Sequence, residues 1–154
     1  MTGSAIEQAE PGGVAQPTIV VGVDGSASSR EALLWAARQA QLTGAGLRAV
    51  SSWYLPTAAY MAPLPEGLDL EGATRRQLDD TLRETLGETP EVPVATVVVE
   101  GHPAPVLLEQ ARDAELLVVG SRGHGEFAGM LLGSVSEHAV THATCPVVVI
   151  RDHR

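Results

Sequence analysis

The sequence predicts an α/β domain built on an open parallel sheet with helices on both faces. Two observations carry that prediction. Short apolar runs rich in Val, Leu and Ile alternate with longer segments of helical spacing, and strands separated by helices of ten or more residues imply right-handed crossovers and a parallel sheet. The apolar inventory points the same way: 44% of the residues are hydrophobic but only one is Phe, so the core is aliphatic rather than aromatic.

Along the chain, residues 1–16 (MTGSAIEQAEPGGVAQ) are polar and small, which reads as a flexible leader ahead of one folded domain over 17–151. Thr18 to Val23 is nearly all apolar and β-branched, the pattern of a strand covered on both faces. Asp24-Gly25-Ser26 then forms a loop at its carboxyl edge. Ser28 followed by Glu31 has capping-box spacing, so a helix is expected to start there and run to Gly44 on an apolar face that includes Leu33, Leu34, Ala37 and Ala40.

Gly46 to Ser52 reads as the second strand. Residues 53–68 have no period and contain prolines, which predicts a long surface loop of the kind that closes over a site. Leu70 to Leu86 reads as the second helix and Val92 to Val99 as the third strand. Gly101-His102-Pro103 introduces a helix to about Ala111, with proline favoured in the first turn. Leu116 to Val119, Gly133 to Ala143 and Val147 to Ile150 complete the series as strand, helix and strand.

At 154 residues the chain is long enough to bury a core without disulfides, and short for two such domains. There are 19 acidic and 10 basic side chains, for a net charge of −9; the basic residues are all arginine and form no cluster. That balance disfavours a nucleic-acid or anionic-membrane partner. A lone cysteine, the lack of a signal-like segment and apolar runs below spanning length predict a cytoplasmic setting.

In an open parallel sheet, ligands bind beyond the carboxyl ends of the strands where the strand order reverses. The loop after the fourth strand, Gly120-Ser121-Arg122-Gly123-His124-Gly125, is the most unusual stretch there, and Gly133-Ser134 follows it. Glycines let backbone N–H groups approach an anion closely. Ser134 with Glu137 repeats the capping-box spacing, so the fourth helix is expected to offer its N-terminal N–H groups, including those of Val135 and Ser136, to a phosphate. A P-loop is excluded because the chain has no lysine, and DGSASS lacks the glycine spacing of a dinucleotide fingerprint.

These residues resemble the universal stress protein family in its ATP-binding branch. The resemblance runs from Ile19 to Ile150 through VVGVDGS, EGHP, VVGSRGHG and LLGSVSEHAVTHATCPVVVI. The family's nucleotide motif, Gly-x2-Gly-x9-Gly-Ser/Thr, is matched by Gly120, Gly123, Gly133 and Ser134. It implies a Rossmann-like five-stranded sheet of order 3-2-1-4-5. It also implies Asp24 near the adenine and ribose, a base contact from Ala49 or Val50, and a triphosphate held by the glycine loop and helix start, with Mg²⁺ as a frequent companion. Arg122 is a candidate phosphate contact. The implied protein is an ATP-binding stress-response regulator with little or no hydrolysis, dimeric through Val147 to Ile150. A slow ATPase, a binder of AMP or cyclic AMP, and a nucleotide-free interaction module are the alternatives.

Other residues carry plainer readings. His138 and His142 have the spacing of a metal pair but no third ligand is apparent. Cys145, next to Pro146, is expected to pack inward and lacks an activating partner. His102 reads as a helix-entry residue. Trp53 and Tyr54 stand where they either cap a pocket at the end of strand two or pack at the surface or in the core.

Overall fold

The computed structural model describes residues 16–123 and 131–152. Residues 1–15 of the expected 1–16 leader, and His124 and Gly125 of the glycine loop, lie outside the described residues.

The elements run β1 (Thr18–Gly22), α1 (Ala27–Thr43), β2 (Gly46–Trp53), a 3₁₀ turn (Thr57–Met61), α2 (Leu70–Leu86), β3 (Val94–Glu100), α3 (Pro103–Gln110), β4 (Leu116–Gly120), α4 (Ser134–His142) and β5 (Val147–Ile150). The five strands form one sheet of order β3-β2-β1-β4-β5, with every adjacent pair parallel. The order reverses at β1: the chain builds outward through β2 and β3, then crosses back to lay β4 and β5 on the other side.

Period-two alternation divides the core between the two faces. Ile19, Val21, Leu47, Ala49 and Val118 pack with Ala32, Leu33, Ala36, Ala40 and Leu78 beneath α1 and α2. Val20, Val50, Leu117 and Val119 pack with Val106, Leu107 and Ala139 beneath α3 and α4. Each fully buried Val or Leu side chain contributes roughly 1.5–3 kcal/mol, so the central strands β1 and β4, buried on both faces, anchor the domain. The edge strands are less enclosed, and all four residues of β5 are half-buried.

Several local expectations change. The first helix is capped by Ser26, whose side chain accepts from the Ser29 N–H at 3.3 Å, and not by Ser28. Ser28 is buried and its hydroxyl is spent on the Arg122 backbone across the switch point. Gly44 closes the helix in the left-handed region at φ 76°, as a C-terminal glycine can without steric cost. The third strand starts at Val94 rather than Val92, and the expected 53–68 loop contains the end of β2 and the 3₁₀ turn. At α4 the cap is Gly133, with no side-chain cap hydrogen bond; Ser134 is the first helical residue. Among the described residues no helix is long and apolar enough to cross a membrane.

A cleft at the strand-order reversal

The carboxyl ends of β1, β2 and β4 surround a cleft of about 200 Å³. From β1 and the start of α1 it takes Gly22, Val23, Asp24, Ser26 and Ser29; from β2, Val50, Ser51, Ser52 and Tyr54. Val119, Gly120, Arg122 and Gly123 come from β4 and its loop, and Gly133, Val135 and Ser136 from the start of α4. Thr74 and Gln77 of α2 and Pro103, Val106 and Leu107 of α3 complete the wall. The α3 wall is apolar through Val106 and Leu107, and the β4–α4 wall combines Gly120, Gly123, Gly133 and Ser136 with Val119 and Val135.

The β1 loop is ordered by its own hydrogen bonds. The Ser26 N–H donates to Asp24 Oδ1 at 2.9 Å, the Asp24 N–H donates to Ser29 Oγ at 3.3 Å, and Ser29 Oγ donates to the Ser26 carbonyl at 3.0 Å. Asp24 is thus held facing the glycine loop: a Cβ built on Gly123 would stand 2.8 Å from Asp24 Oδ2. Residues 24 and 123, far apart in sequence, meet at one wall of the cleft.

Gly120 has a different task. A Cβ there would meet Ser28 Oγ at 2.5 Å and the Ser28 carbonyl carbon at 2.7 Å, so this glycine lets the start of α1 rest directly on the end of β4. The glycine motif is therefore partly a packing device.

Ser121 joins the surrounding elements. Its N–H donates to the Ile150 carbonyl at 2.7 Å, and its carbonyl accepts from the Gly133 N–H at 2.6 Å and from the buried Ser136 hydroxyl at 3.0 Å. Gly133's own N–H is consequently engaged inside the protein. The donors that α4 can turn toward an anion are those of the turn that follows, where the first N–H groups of a helix have no intrahelical acceptor.

The expected site residues separate as follows. Asp24, Val50, Gly120, Arg122, Gly123, Gly133, Val135 and Ser136 all border the cleft. Ala49 does not: it is fully buried on the α1/α2 face, because one step along a strand reverses the side-chain direction. Of the two residues expected to offer a base contact, Val50 is the one at the cleft. Ser134 is not among the lining residues either. Sequence reasoning missed Ser26, Ser29, Thr74, Gln77, Val106 and Leu107. Only the polar Thr74 and Gln77, three apart on one helical face, carried a local signal.

The remaining candidates fall in the following places. His102 caps α3 without a side-chain hydrogen bond and its ring lies 4.1 Å from that of Tyr54, which itself borders the cleft. The His138 and His142 rings are 5.9 Å apart, and His138 Nδ1 pairs with the Ser134 carbonyl at 2.9 Å. Among the described residues no group of three or more His, Cys, Asp or Glu side chains gathers to hold a metal. Cys145 packs at the α3/α4 core, and burial pushes its thiol pKa up, which keeps it protonated and a poor nucleophile.

A doubly covered parallel sheet whose strand order reverses beside a glycine-lined cleft defines the class, an open, doubly wound α/β protein. The family model described as "Universal stress protein family" matches residues 17–151, and the chain belongs to that family. Universal stress protein Rv2623 of Mycobacterium tuberculosis is 38% identical over 140 residues, covering 87% of this chain and 47% of that protein. The chain spans about half the length of the curated relatives it matches. Among solved structures, universal stress protein UspA from Lactobacillus plantarum is 25% identical with a TM-score of 0.70, covering 90% of this chain and all of that one. A universal stress protein solved in complex with cAMP is 29% identical with a TM-score of 0.62, covering 91% of this chain and 100% of that one.

Proposed function

We propose that the chain is an adenine-nucleotide-binding regulatory protein whose ligand occupies the cleft at the ends of β1, β2 and β4. The observation that carries this reading is the division of the cleft into an apolar end and a glycine-rich end. Val50, Val106 and Leu107 suit a flat base, while Gly123, Arg122 and the first turn of α4 suit a phosphate. Asp24, against Gly123 at the cleft wall, supplies a carboxylate that can accept from ribose hydroxyls.

Two ligand classes divide on phosphate number. The Gly-x2-Gly-x9-Gly-Ser spacing supports ATP, with Mg²⁺ entering through the ligand's own phosphate oxygens. The relative solved with cAMP supports a nucleotide with a single phosphate, cyclic AMP or AMP, and that is the reading we favour. Slow hydrolysis of ATP at most is expected, because among the described residues bordering the cleft the carboxylate is that of Asp24, which already accepts from the Ser26 N–H.

Mass spectrometry of small molecules released from purified, denatured protein, followed by titration with cAMP, AMP, ATP with and without Mg²⁺, and adenosine, tests this reading. An adenine nucleotide is expected in the released fraction. Failure of every adenine compound to bind would overturn the proposal and leave the interaction-module reading. We further propose a cytoplasmic homodimer paired through β5, whose half-buried apolar edge otherwise invites uncontrolled pairing. A purely monomeric sedimentation profile at tens of micromolar would contradict the dimer.

A further inference from the structure

We propose that Asp152 competes with the ligand's anionic group for Arg122 and thereby sets how tightly the cleft holds a phosphate. The proposal takes its base-binding half from the function proposed above; its anion-binding half stands on the following geometry.

Arg122 Nη2 lies 3.6 Å from Asp152 Oδ1, with 22% and 17% of the two side chains exposed. A pair so enclosed is screened less by solvent and salt than an ordinary surface pair. Among the described residues that border the cleft, Arg122 is the only cation, and the chain holds no lysine to substitute for it. The group best suited to meet a phosphate is therefore already engaged by a carboxylate.

The backbone on both sides of this pair is pinned, so the side chains are what can change partners. The Arg122 N–H donates to Ser28 Oγ at 3.4 Å and its carbonyl accepts from the same buried hydroxyl. Opposite it, Gly120 pairs with Ile150 in register and the Ser121 N–H donates to the Ile150 carbonyl. These bonds carry the segment after β5 alongside the glycine loop and set residue 152 beside residue 122. A guanidinium with several N–H donors can turn from a carboxylate to a phosphate without moving its backbone. Each anion then weakens the other's hold on Arg122, as linkage requires.

The test is calorimetric titration of AMP, adenosine and inorganic pyrophosphate into wild type, Asp152→Asn, Arg122→Gln and the double variant. Asp152→Ser is carried in parallel in case the asparagine variant folds poorly. Removing the competing carboxylate is expected to tighten AMP and pyrophosphate about five-fold, the order expected for an ion pair of this exposure, and to leave adenosine unchanged. With Arg122→Gln in the background, the gain is expected to vanish. A purely structural role for Asp152 would instead weaken all three ligands together. Unchanged or weaker pyrophosphate binding in Asp152→Asn would overturn the competition. If pyrophosphate tightens while AMP and adenosine bind to no variant, the competition stands and the adenine reading falls. If adenosine binds and neither anion responds to the substitution, the adenine reading stands and the competition falls. Absence of all binding would overturn both.

Discussion

Helices α1 and α4 both start at the carboxyl ends of neighbouring central strands, yet their N-termini are finished differently. At α1 the chain satisfies itself: the Ser26 side chain accepts from Ser29, and Asp24 and Ser29 bond back into the loop. At α4 the cap is Gly133, with no side-chain cap hydrogen bond, and the helix is fastened from below through Ser136 and Ser121. One helix start is tied by a side-chain cap, whereas the other is held by its buried underside, and both border the cleft. Two similar positions in one fold are thus fastened in different ways, and serine placement decides the difference.

The most severe way to break this arrangement is Gly120→Ala. The added methyl would press on the Ser28 backbone, which cannot swing aside as a side-chain tip can, and we expect a loss of roughly 2 kcal/mol or more from overpacking. Urea denaturation would show the midpoint falling; an unchanged midpoint would mean that α1 does not rest firmly on β4.

Ser136→Ala removes the hydroxyl that bonds the Ser121 and Gly133 carbonyls. We expect it to cost about 1–2 kcal/mol because the acceptors are enclosed, and to weaken nucleotide binding as the start of α4 loosens. Amide hydrogen exchange resolved by segment should show faster exchange at the beginning of α4, with the β1 loop unaffected. Exchange rising equally in both would erase the distinction between the two helix starts.

Ser26→Ala is expected to cost about 1 kcal/mol, the usual worth of a serine cap, with its effect confined to α1. A matched Ser28→Ala would separate capping from tertiary anchoring, since Ser28 bonds Arg122 and caps nothing. Thermal denaturation of the two variants, read together with anion affinity, should show Ser28→Ala altering the glycine loop and Ser26→Ala sparing it.

Smallest in stability is Gly123→Ala. Among the described residues its methyl meets the exposed end of the Asp24 side chain rather than backbone, so we expect a stability change within about 0.5 kcal/mol. Nucleotide affinity should nonetheless fall, because Asp24 is displaced from the cleft wall. A drop in stability matching that of Gly120→Ala would show that the two glycines serve one purpose.

Much of the architecture was legible in the residues alone. Strand β5 and helix α2 occupy the spans read from the sequence, and the other strands and helices shift by a few residues at their ends. The cleft was legible in part: eight of the ten expected residues border it. The failures were local choices among equivalents, Ser28 or Ser26 as the cap of α1 and Ser134 or Gly133 as the cap of α4, while Ala49 or Val50, left open from β2, separate by side-chain direction with Val50 at the cleft. Each turns on a hydrogen bond or a side-chain direction that residues one or two places apart could equally supply.

Alternation of Val, Ile and Leu, glycine where a helix must stop, and helix-length spacers between strands act over a few residues, so the sequence by itself determined the elements and the class of sheet. Tertiary structure decided which residues share a place. Ser28 reaches the Arg122 backbone, Asp24 meets Gly123, and Arg122 meets Asp152 only because the crossover at β1 lays β4 beside it and β5 beyond. Those meetings depend on distances in space between segments distant in the chain, and no local dihedral preference or hydrophobic period encodes them.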